Sequence, residues 1–77
     1  MAPTVLRTRN LRICVYPHDH GPPHVHVIGP GGEAKFALDD CSCVFARGLS
    51  PRLIRKLSEF ISANRDILIE AWNEFQK

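Results

Sequence analysis

His24-Val25-His26-Val27-Ile28-Gly29-Pro30-Gly31-Gly32-Glu33-Ala34-Lys35-Phe36-Ala37-Leu38 reads as strand, turn, strand. Glu33 to Leu38 alternates polar and apolar residues as a half-buried strand does, and the four-residue Gly/Pro tract before it is a dense turn signal. Upstream, Thr4 to Thr8 and Leu11 to Tyr16 are short β-prone runs separated by Arg9-Asn10, a spacing that suits a tight hairpin. Downstream, Cys41 to Ala46 offers a fifth strand after the turn-prone Asp39-Asp40. The texture changes near Gly48. Ser50-Pro51 reads as a helix N-cap followed by proline at the first helical position, where its missing N–H costs nothing. Leu53, Leu57, Phe60 and Ile61, then Leu68, Ala71, Trp72 and Phe75, step by three and four residues. The pattern allows one helix or two and favours two, with a break near residues 62–65 around Asn64. Trp72 and Phe75 are read as core.

These elements predict one α+β domain, with a β-rich part over residues 1–48 and a helical part over 50–76. An antiparallel sheet of four or five strands is covered on one face by one or two C-terminal helices. With 77 residues, the chain is too short for a nucleotide-binding α/β fold or a barrel, and a domain of this size buries only about 60% of its unfolded surface. A composition of 44% hydrophobic and 23% charged residues is that of a folding globular chain. The net charge of +2 is too small to announce a nucleic-acid or membrane partner, although Arg7, Arg9 and Arg12 give the first segment a local basic excess. Three cysteines, an odd number, together with no apolar leader and no apolar run near 18 residues, lead to the expectation of a reduced cytoplasmic protein with no membrane partner.

Successive side chains of a strand point to opposite sides of a sheet. Leu11, Ile13 and Val15, Val25 and Val27, and Ala34, Phe36 and Leu38 are therefore expected under the helices. The opposite parity carries Arg12, Cys14, Tyr16, His24, His26, Glu33 and Lys35, so the uncovered face is expected to hold the chemistry. All four histidines fall within Pro17-His18-Asp19-His20-Gly21-Pro22-Pro23-His24-Val25-His26-Val27. Pro22-Pro23 stiffens the path into the strand and tethers His20 near His24. His24 and His26, two apart on a strand, have Cβ atoms roughly 7 Å apart on one face.

Three readings compete at this segment. His20, His24 and His26 act as general acid and base on an RNA phosphodiester without a metal, with Arg12, Tyr16 and Lys35 contacting substrate and Asp19, Glu33, Pro22 and Pro23 in support. Alternatively, His24 and His26 with His20 or Asp19 bind Zn²⁺ or another borderline metal. In the third reading the segment is structural or an interface, Asp19 and the imidazoles tying the loop down. Cys41 and Cys43 are too close in sequence to bridge without heavy strain. They could complete a zinc site with His24 and His26; otherwise they are small core residues, as Cys14 is. The Gly29–Gly32 tract lacks the Lys and Ser/Thr that a phosphate-cradling loop needs.

Thr4-Val5-Leu6, Asp19-His20-Gly21-Pro22-Pro23-His24-Val25-His26-Val27, Ala34-Lys35-Phe36, Gly48-Leu49-Ser50 and the stretch from Asn64-Arg65 to Trp72 resemble, in that order, the small prokaryotic family of domain of unknown function 4160. The likeness covers nearly the whole chain. Its signature is an acidic residue, His, any residue, Pro, Pro, His, an apolar residue, His. The resemblance implies one half of a two-gene module, a toxin-like component of a type II toxin–antitoxin pair whose partner is a small antitoxin encoded by the neighbouring gene. The family positions transfer to Asp19, His20, Pro22, Pro23, His24, His26, Lys35 and Trp72, whereas His18, Cys41 and Cys43 lie outside the pattern. No catalytic mechanism comes with it. A homodimer or a heteromer is a further expectation, because a core this thin and an exposed face this mixed gain from a partner.

Overall fold

A computed structural model of the chain describes residues 4–8, 10–17 and 20–76. Five strands, β1 (Thr4–Thr8), β2 (Leu11–Cys14), β3 (His24–Ile28), β4 (Glu33–Ala37) and β5 (Cys43–Arg47), precede two helices, α1 (Pro51–Ala63) and α2 (Arg65–Phe75). The strands form one sheet in chain order, each antiparallel to the next. The expected α+β architecture is present, with five strands and two helices. Arg9, in the expected first hairpin turn, lies outside the described residues.

Strand parity builds the core. Ile13 pairs with Val27, Val27 with Ala34, and Val25 with Phe36, so these side chains share one face. With Val15 and Leu38 they are buried against Leu57 and Ile61 of α1 and Leu68 and Trp72 of α2. Leu11 is only half-buried. The helix start is set locally: Ser50 Oγ accepts the Leu53 N–H at 3.1 Å, and Pro51 occupies the first turn. Asn64 ends α1, its Nδ2 donating to the Phe60 carbonyl at 2.8 Å, and its own carbonyl accepts the Leu68 N–H of α2. The break falls where the pattern placed it.

Two local departures follow from backbone geometry. The expected fifth strand begins at Cys43 and not Cys41, because the chain turns through Asp39–Ser42: Asp40 Oδ1 accepts the Ser42 N–H at 2.9 Å, and Cys41 adopts a positive φ of 60°. Both helices tie this turn down, Ser58 Oγ donating to the Cys41 carbonyl at 2.6 Å and Arg65 Nε to the Leu38 carbonyl at 2.5 Å. Within β5 the register slips: Lys35 is opposite Phe45, but Phe36 is opposite Cys43. Cys43 and Ala46 both pack against the core, and the two residues between them, Val44 and Phe45, are left outside at 59% and 49% exposure. A bulge breaks strict alternation in this way.

Candidate functional site: the outer sheet face

The outer parity brings Cys14, His26, Lys35 and Phe45 into one cross-strand row, with Arg12, Ile28, Glu33 and Arg47 in the next. The expected gathering of ionisable groups on this face therefore holds for His26, Lys35, Arg12 and Glu33. It fails for His24 as a solvent-open group. His24 is only 6% exposed, and its ring lies 4.9 Å from that of Trp72. The reason is tertiary. Beside the start of β3, α2 closes over the end of the sheet, where Gln76 Nε2 donates to the Tyr16 carbonyl at 2.8 Å and Trp72 covers His24. Cys14, on the same parity, is likewise fully buried, its sulfur 3.9 Å from Thr4 Oγ1.

His24 is also fixed in tautomer and orientation. A carbonyl only accepts, so the Nδ1–H of His24 donates to Pro22 O at 2.9 Å. The Pro23 carbonyl accepts the Leu38 N–H at 3.0 Å. The two prolines thus support the segment through their carbonyls as well as their stiffness. From His24 the rings continue outward: His26 lies 5.1 Å away at 71°, and Tyr16 meets His26 edge-on at 4.4 Å. Such edge-to-face pairs hold rings in place without a hydrogen bond between them.

His26 and Tyr16 line an open groove of about 510 Å³ that runs along the Gly29–Gly32 turn to Glu33 and Arg47. Of the three described histidines, His26 is the one in its wall; His20 is exposed on the preceding loop. Arg12 borders an adjoining recess over Ile28 and Pro30, and Lys35 lies in neither lining although it is the direct cross-strand neighbour of His26. Glu33, expected to orient an imidazole, is engaged instead by Arg47, its partner on β5. The pattern reading missed Arg47, because the bulge at Val44 decides which face it takes. Asp19 and His18 lie outside the described residues.

The zinc alternatives find no such convergence. Among the described residues no three of His, Cys, Asp and Glu gather as ligands, neither His20 with His24 and His26 nor the cysteines with His24 and His26. Cys14, Cys41 and Cys43 are free thiols, the first two buried. Among the described residues one carboxylate has a shifted affinity for protons: the hydroxyl and amide of Ser42 hold the Asp40 carboxyl below the usual range. Among the described residues no helix is long and apolar enough to cross a membrane.

Comparison with known proteins finds no match among curated proteins or solved structures. A family model does match, over residues 10–73, which include β2 to β5, α1, most of α2 and the whole histidine segment. The chain belongs to the family described as Domain of unknown function (DUF4160).

Proposed function

We propose that the chain is the toxin-like component of a prokaryotic type II toxin–antitoxin pair and that its outer sheet face cleaves RNA by metal-independent proton transfer. The observation that carries this reading is His26: a strand-borne imidazole in the wall of an open groove, braced by Tyr16 at 4.4 Å, with Lys35 beside it in register. Histidine exchanges protons near neutral pH, and cations offset the charge that builds on phosphorus during transfer. In this scheme His26, whose Nε2 is buried, takes the 2′-hydroxyl proton at Nδ1 as the O2′–P bond forms. The P–O5′ bond breaks, and His20 protonates the departing 5′-oxygen. Arg12, Lys35 and Arg47 contact phosphate, and Tyr16 positions His26. His24, sealed against Trp72, is a positioning residue, which narrows the expected catalytic set of His20, His24 and His26 to the two outer imidazoles.

The test is untagged protein incubated with RNA in the presence of a chelator. His26→Ala should lower cleavage at least about a hundredfold, the usual scale of general acid–base catalysis, while the circular dichroism spectrum is unchanged. Intact RNA under the wild-type chain, or equal cleavage by the variant, would refute the mechanism. A second reading, a non-catalytic module that uses this face to hold a protein partner, is favoured by the adjacent exposed Val44 and Phe45. It predicts capture of the antitoxin by a chain that never cleaves RNA.

A further inference from the structure

β5 is the last strand of the sheet, and no described strand pairs with its far edge. An open edge presents backbone N–H and C=O groups to any strand that can align with them, and proteins usually blunt such edges with Lys, Pro or a bulge. The sequence Cys43-Val44-Phe45-Ala46-Arg47 has neither Lys nor Pro. Its one blunting device, the bulge at Val44, turns two apolar residues outward together.

The charges flanking β5 say which strand would fit. Its N-terminal end follows the exposed acids Asp39 and Asp40; its C-terminal end is Arg47, which pairs with Glu33 of β4, and beyond it exposed Arg52 in the first turn of α1 carries the basic charge. Asp40 is ionised at neutral pH, and the Ser42 hydrogen bonds hold its carboxyl further below the ordinary range. Two copies of β5 aligned antiparallel about the midpoint Phe45 set Val44 opposite Ala46 and Cys43 opposite Arg47. No like charges then face each other, and the acidic end of each copy meets the basic end of the other. A parallel alignment would bring acid to acid and base to base.

We infer that the chain forms a twofold dimer through antiparallel pairing of β5 with β5 of a second copy, joining two five-stranded sheets into one. This goes beyond the proposed chemistry and does not depend on it. The dimer sets two His26 faces side by side on a continuous surface.

Light scattering and sedimentation of the untagged chain at tens of micromolar should give twice the 8.7 kDa chain mass. Amide exchange across Cys43–Arg47 should slow as concentration rises. Phe45→Lys, which places two ammonium groups opposite each other in place of an aromatic pair, should weaken the dimer at least about tenfold. Added salt should weaken it as well, by screening the acid–base ends. Phe45 is half exposed, so the fold should survive; if it does not, Val44→Lys, at a more exposed position, is judged by the same criterion. A monomer at hundreds of micromolar overturns the proposal. So does a dimer indifferent to these variants, whose copies must meet elsewhere. Protection of β5 that arises only when the neighbouring-gene protein is added also overturns it, and assigns the edge to that partner.

Discussion

Replacing His24 by Ala should damage the fold before it damages any chemistry. The ring is 6% exposed, sits between Trp72 at 4.9 Å and His26 at 5.1 Å, and donates Nδ1–H to Pro22 O. Truncating a buried aromatic ring to Ala costs about 3–5 kcal/mol through lost burial and the cavity left behind. Imidazole is smaller and more polar, which lowers that figure. The hydrogen bond contributes about 1 kcal/mol, and Pro22, exposed, can turn its carbonyl to water when the donor is gone. A total of about 2–4 kcal/mol results, against an expected stability of about 4–12 kcal/mol for a chain of this length. At about 4–8 °C per kcal/mol for a small domain, Tm should fall by at least about 8 °C. Trp72 is the single tryptophan, so its emission reports this contact without interference and should shift in the variant. The assay is thermal and urea unfolding followed by circular dichroism and tryptophan fluorescence. Tm lowered by less than about 4 °C with unchanged emission would refute the reasoning and return His24 to the candidate chemical groups. Loss of the proposed RNA cleavage in a chain carrying His24→Ala alone would therefore say nothing about catalysis, whereas His26→Ala, at a half-buried position, should cost about 1 kcal/mol and leave the fold intact.

Gly48 has φ +76°, and a Cβ there would collide with the Gly31 carbonyl oxygen and the Gly32 backbone. Gly48→Ala should therefore cost more than the roughly 1 kcal/mol of a left-handed residue alone, and an unchanged urea midpoint would contradict the close approach of the two turns. The Asp40 carboxyl is held below its ordinary 3.8 by the Ser42 hydrogen bonds, so the native state favours the ionised form. That contribution is present above pH 3.8 and disappears as pH falls through the lower native value. Asp40→Asn should flatten the acid side of a Tm-against-pH curve; a slope identical to wild type would show that Ser42 does not hold the carboxylate.

Much of the fold was legible because it is local. The β3–turn–β4 unit, the Ser50-Pro51 cap, the break at Asn64 and the apolar face of Ile13, Val25, Val27, Ala34 and Phe36 follow from periodicity, turn chemistry and capping among near neighbours. The site was half legible: parity placed His26, Lys35 and Arg12 on the outer face, as observed. Parity cannot say what closes over the end of a sheet. Trp72 was correctly read as core, but nothing in its helical spacing names His24 as the ring it covers. Nor does a strand-like run reveal a bulge, since the extra residue at Val44 exists only relative to β4.

By itself, then, the sequence determined the element order, the two faces of the sheet and the clustering of imidazoles on one short segment, because these depend on residues within a turn or a strand of one another. The tertiary structure alone decided that His24 is sealed while His26 lines the groove with its Nε2 buried, that Arg47 takes Glu33, and that Val44 and Phe45 both turn outward on an open edge. Each of those outcomes is set by register and by the packing of α2 against strands remote from it in the chain, and side-chain periodicity carries no information about either.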